Sequence, residues 1–162
     1  MEAHPETGRP ETHDERTDRN LTELLAELRV ALPGVQVLFA FLLVVPFNNG
    51  FERVSGFGEG LYFFTLLATA VATVLLIAPT VHHRLAFRQQ DKEFLVVSAN
   101  RLMLAGLGVL ALAIVGAIVL VTDFLFSEGA TVAASTGVAL VFLGVWLIIP
   151  LWRRRQRLST TA

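Results

Sequence analysis

The sequence predicts an all-α membrane protein with four transmembrane helices, a preceding amphipathic helix and a disordered N-terminal leader. Three observations predict it. Apolar residues make up 54% of the 162 residues and charged residues only 17%, against the ~25% charged share of an ordinary soluble chain. The charges are crowded: 12 of them lie in the first 29 residues, and four arginines sit between Arg153 and Arg157. What remains is four long apolar runs. Three of them are 21 to 23 residues long, matching the ~20 needed to cross a ~30 Å hydrocarbon core.

The elements follow in order. Residues 1–19, MEAHPETGRPETHDERTDR, are polar, contain proline and hold almost no large apolar groups. Such a segment cannot bury enough surface to offset its ordering entropy, so it reads as disordered. It lacks the basic start and immediate apolar stretch of a secretory signal. Residues 20–32, NLTELLAELRVAL, place Leu21, Leu24, Leu25, Leu28 and Leu32 on one helical face, with Glu23, Glu27 and Arg29 opposite. Asn20 can cap this helix, and Glu23 three residues later completes a capping-box pattern. The segment is either the entry turn of the first span or a helix lying on the bilayer surface.

The four spans cover residues 30–47, 61–81, 102–122 and 130–152, within a transmembrane domain of residues 20–155 and before a polar tail of residues 156–162. The first is the weakest. It has 18 residues, is interrupted by Pro33-Gly34 and contains Gln36. It spans if the helix tolerates a kink at Pro33; a re-entrant segment is the alternative. The segment at residues 88–101 can continue span three on its basic side. The segment NNGFERVSGFGEG between spans one and two reads as a glycine-rich loop.

Charge placement orients the chain. Of the 13 lysines and arginines, only Arg53 lies on the side that carries the loops between spans one and two and between spans three and four. The other twelve put both termini and the middle loop in the cytoplasm by the positive-inside rule. Arg84, Arg88, Arg101, Arg153, Arg154, Arg155 and Arg157 read as topology anchors on lipid headgroups. Pro46, Pro79 and Pro150 fall near span ends, where a lost helical hydrogen bond costs least.

Candidate chemistry is sparse. No Asp, Glu, Lys, Arg or His lies within the four spans, and an ionisable group there would be the default functional site. Thr65, Thr69, Thr73, Ser135 and Thr136 can return hydrogen bonds to their own helices. Gln36 is placed near the cytoplasmic interface. It can meet headgroups, make an interhelical polar contact or touch a substrate. The pairs Ala68/Ala72, Ala113/Ala117 and Ala133/Gly137 let backbones approach closely, within one bundle or between two copies. Adjacent His82 and His83 diverge by about 100° on a helix and do not converge on a metal. The lack of cysteine excludes disulfides, thiolate nucleophiles and cysteine-held metal centres. Four arginines at a membrane end do not make the folded basic face that nucleic acid requires.

The segments ELRVALPGVQVLFAFLLVVPF and LLIAPTVHHRLAFR and the lone Asn100-Arg101 before span three carry a resemblance. They resemble an uncharacterised family of short four-span bacterial inner-membrane proteins, a domain of unknown function, over roughly residues 20–155. In that pattern the position of Pro33 is more usually threonine or another polar residue. Some similar sequences carry a propagated sodium/proton antiporter label. Such antiporters need a membrane-embedded carboxylate, which this chain lacks.

The expectation is therefore a non-enzymatic, multi-pass inner-membrane protein with no cofactor, catalytic group or metal site. Its expected partners are the lipid bilayer and either itself or another membrane protein, and not nucleic acid. The alternative is a small oligomeric transporter or channel, such as a cation/proton antiporter.

Overall fold

The structure, a computed structural model, describes residues 12–85 and 92–148. Four helices follow in order: α1 (His13–Val44), α2 (Gly56–Leu85), α3 (Lys92–Leu125) and α4 (Glu128–Leu143). Short 3₁₀ turns at Val45–Phe47 and Phe51–Arg53 join α1 to α2, and a π-helical turn, Gly144–Ile148, continues α4. Among the described residues there is no strand, and four helices are long and apolar enough to cross a membrane. The first part of the leader, Arg88, the end of span four with Arg153, Arg154, Arg155 and Arg157, and the tail lie outside the described residues.

α1 corrects two expectations and settles a third. It begins at His13, not at Asn20, because Thr12 and Glu15 form the capping box that Asn20 and Glu23 were expected to form. The Glu15 N–H donates to Thr12 Oγ1 at 3.3 Å, and the Thr12 N–H donates to Glu15 Oε2 at 2.7 Å. This hydrogen bond from the Thr12 backbone holds the Glu15 carboxyl below its ordinary range. Residues 13–19 are thus helical rather than disordered. Of the two readings of the amphipathic segment, the entry to the first long helix is the one seen: one 32-residue helix runs through Pro33 to Val44, about 48 Å at 1.5 Å per residue. Pro33 is exposed, so the N–H it lacks is missing on the side away from the bundle. No re-entrant hairpin forms. Leu24 and Leu28 pack with Ala99 and Met103 at one end, and Leu42 packs with Tyr62 and Leu120 at the other.

The glycine-rich segment also differs from its reading as a loop. α2 starts at Gly56, where the Gly58 N–H donates to Ser55 Oγ at 3.1 Å, so Gly56, Gly58 and Gly60 are helical. Asn48 Nδ2 donates to the Val44 carbonyl at 3.1 Å and closes the end of α1. Tyr62 ties the turn to α1 by donating to the Leu42 carbonyl at 3.1 Å and by meeting Phe51 edge-on at 5.2 Å.

The core is a three-helix unit. α2 and α3 share its largest interface, and α1 packs on both. Ala72, Leu76, Thr65, Thr69 and Ala113 are fully buried there. Gly106 lies under Leu76 and Gly116 under the Thr65 hydroxyl. Among the described residues α4 packs on α3 alone, and Thr131 is its one buried residue. Of the small-residue pairs, Ala68/Ala72 and Ala113 therefore serve the bundle. Ala133 and Gly137 stay exposed on α4.

These glycines give a stability test. Gly106→Ala brings a methyl within 2.9 Å of Leu76, and Gly116→Ala brings one against Thr65 Oγ1. Overpacking of this kind costs about 1–3 kcal/mol. Gly137→Ala meets nothing within 4 Å and gains up to about 1 kcal/mol of helix propensity. Thermal unfolding in detergent should show a lower Tm for the first two variants and an unchanged or higher Tm for the third.

Candidate functional site

The polar groups along the spans are mostly occupied within their own helices. The hydroxyls of Thr65, Thr69 and Thr73 donate to the carbonyls of Leu61, Thr65 and Thr69, each at 2.8 Å. Ser135 donates to the Thr131 carbonyl at 2.6 Å. Thr65 and Thr69 are completely buried between α2 and α3. Back-bonding removes the only donor each hydroxyl has, so they make a packing seam rather than a binding surface.

Gln36 makes none of the contacts expected of it inside the bundle. Its neighbour Val35 is fully buried, whereas Gln36 is exposed on the outer side of α1. Arg29, the last charged residue of α1, lies seven residues before it, and the helix runs eight residues beyond it. Those separations are about 10 Å and 12 Å along the axis.

Of the expected anchors that are described, Arg84 and Arg101 are exposed at the same end as Arg16, Arg19 and Arg29. His82 is exposed beside Arg84. At the opposite end Glu52, Arg53, Glu59, Asp123 and Glu128 are exposed. That end also holds a cavity of about 220 Å³ walled by Val45, Phe51, Val54, Leu120 and Phe124, with Asn48 as its one polar side chain. Its chemistry is that of a hydrocarbon slot.

The richest set of polar groups is at the basic end, in a cleft of about 390 Å³ between α1 and α3. α1 contributes Asn20, Glu23 and Glu27, which fall at i, i+3 and i+7 and so share a face. α3 contributes Asn100 and Arg101. The floor is apolar: Leu24 and Met103 are buried beneath the polar rim. Glu23 approaches Arg19 at 3.8 Å along α1. Glu27 and Arg101 line the cleft without an ion pair to each other or to another described residue. One wall therefore presents carboxylates, the other a guanidinium and an amide, and the space between is open.

Sequence reasoning missed this cleft. It had Glu23 and Glu27 as the polar face of an amphipathic helix and Arg101 as a topology anchor. The signal available was the Asn20/Glu23/Glu27 spacing together with the Asn100-Arg101 pair. What joined them was the parallel packing of α1 on α3.

The architecture defines a class: an all-helical bundle whose four main helices are each long and apolar enough to cross a membrane. The chain belongs to a family of unknown function, DUF6328, whose model matches residues 10–150. No curated protein and no solved structure matches it. The family brings no activity with it, so the antiporter label gains no support from this membership.

The cleft groups are exposed and lack a strong partner, so they should contribute little to folding. Glu27→Gln and Arg101→Gln should each change unfolding free energy by less than about 0.5 kcal/mol. Unchanged melting curves for both variants would separate a binding role from a structural one.

Proposed function

We propose that this chain is a non-enzymatic, multi-pass protein of the bacterial inner membrane that acts by binding. Its α1–α3 cleft receives the headgroup of a cytoplasmic-leaflet phospholipid. The observation that carries the reading is the mixed charge of the cleft over an apolar floor. Glu23 and Glu27 suit an ammonium group, and Arg101 with Asn100 suits a phosphate. Leu24 and Met103 suit the first methylenes of an acyl chain. A zwitterionic aminophospholipid, phosphatidylethanolamine, has those three parts in that order.

Orientation supports the same reading. Arg16, Arg19, Arg29, Arg84 and Arg101 are exposed at the end that holds the cleft, whereas Arg53 is at the other end, which supports a cytoplasmic headgroup setting for the cleft by the positive-inside rule. An enzyme would need a nucleophile–base pair or a cofactor motif, and among the described residues the hydroxyls of Thr65, Thr69, Thr73 and Ser135 are bonded to their own helices.

Two experiments test this. Purified protein in nanodiscs of mixed lipid should retain phosphatidylethanolamine several-fold over phosphatidylglycerol, read by native mass spectrometry of bound lipid. Glu23→Gln/Glu27→Gln should abolish that preference, and Arg101→Ala should weaken both lipids. Equal retention of the two lipids by the native chain would refute the headgroup assignment.

The antiporter alternative requires a group that exchanges protons in the membrane interior. Asp123 and Glu128 are exposed at the helix ends, outside the long apolar runs that would form that interior. Proteoliposomes carrying the protein should therefore hold a pH gradient when Na⁺ or K⁺ is added. Cation-dependent proton flux that disappears in Asp123→Asn or Glu128→Gln would overturn the binding reading.

A further inference from the structure

Gln36 is the one side-chain amide at mid-span level. Leu38, half a turn further on, lines a groove with Ile114, Ala117 and Ile118 in the C-terminal half of α3. Headgroups and water are thus about 10 Å away in either direction along the helix. A primary amide carries two N–H donors and a carbonyl with two lone pairs. Hydrocarbon satisfies none of them, and burying an unpaired amide there is costly. No group of its own chain among the described residues bonds it. A second molecule that presents both a donor and an acceptor at the same depth would satisfy it.

We propose that two copies of this chain associate side by side through α1, with Gln36 of each copy hydrogen-bonded to Gln36 of the other. Copies inserted in one membrane share one orientation. A two-fold axis along the membrane normal therefore sets the two α1 helices parallel and places equal residues at equal depth. The amide is self-complementary under that operation: each N–H donates to the other carbonyl oxygen. A different membrane protein would need its own donor and acceptor at this depth, whereas a second copy supplies both.

The surface around Gln36 fits close packing of parallel helices. Pro33, Gln36, Ala40 and Leu43 are spaced three, four and three residues apart and are all exposed, which is the heptad pattern of a left-handed helix pair. Pro33 and Ala40 are compact and flank the amide, so the backbones can approach. A lone polar residue in such a seam fixes register. Arg29 continues the seam at headgroup depth, where its long side chain can spread toward water. The inference deepens the binding reading and rests on the same membrane-embedded fold, but it does not depend on the α1–α3 cleft.

The chain has no cysteine, so single-cysteine reporters are clean. Ala40→Cys should form a covalent dimer on oxidation in membranes. Phe41→Cys, 70% exposed but turned about 100° around the helix from Ala40, should not. In fluorescence dimerisation assays in proteoliposomes, Gln36→Leu should raise the protein-to-lipid ratio at half-dimer about tenfold, the effect of one interhelical polar contact. The Tm of Gln36→Leu in excess detergent should equal that of the native chain, which excludes misfolding as the cause. A native chain monomeric at every ratio, crosslinking at Phe41→Cys instead of Ala40→Cys, or dimerisation unmoved by Gln36→Leu would each overturn the proposal. None of these outcomes alters lipid retention or the proton-flux result, so the two readings fail separately.

Discussion

α2 and α3 approach closely because the residues between them are alanine, glycine and threonine, and the threonine hydroxyls are already bonded to carbonyls one turn back. In lipid there is no hydrophobic drive to press two apolar helices together, so contact area and backbone proximity must do it. Gly106 and Gly116 make room for Leu76 and Thr65, and the fully buried Ala72 and Ala113 keep the seam thin. The rest of the molecule is hung on this pair. α1 lies in the groove that the two helices form, and α4 rests against the far side of α3.

That asymmetry shapes what the protein can do. A symmetric four-helix bundle would enclose a central axis on which polar groups could converge. Here three helices share a packed core, and α4 buries only Thr131. Among the described residues the buried polar side chains are Thr65, Thr69 and Thr131, each donating to a carbonyl one turn back. Chemistry is displaced to the ends and to the lipid-facing sides: carboxylates, amides and a guanidinium in a cleft at the basic end, a hydrocarbon slot at the other, and one amide on the outer face of α1. This arrangement of polar groups at exposed surfaces is what the proposed binding role rests on.

The two sites argued for use the same helix in different ways. The N-terminal half of α1 turns Asn20, Glu23 and Glu27 toward α3. The C-terminal half turns Gln36 and Ala40 away from the bundle. A single 32-residue helix can do both because it extends well past the apolar thickness at its basic end. The Thr12–Glu15 capping box starts that extension in a stretch whose composition alone reads as disordered. Local hydrogen bonding between two adjacent side chains outweighed the lack of apolar surface, and the T-x-x-E spacing was legible in advance.

The fold class and the number of long apolar helices were set by the sequence alone, since length and hydropathy of a run decide whether it can cross a bilayer. The back-bonding of Thr65, Thr69 and Ser135 was equally local and equally legible. Tertiary structure decided which small-residue pairs are used. Ala68/Ala72 and Ala133/Gly137 have similar spacing, yet the first is buried against α3 and the second faces outward. It also decided the facing of Gln36, which lies exposed on α1 beside the fully buried Val35. Glu27 and Arg101 came to share one cleft only through the packing of α1 on α3, because residues 74 apart in sequence carry no local signal of proximity. Periodicity reports a residue's position around its own helix axis, and only the packed bundle determines what lies across from it.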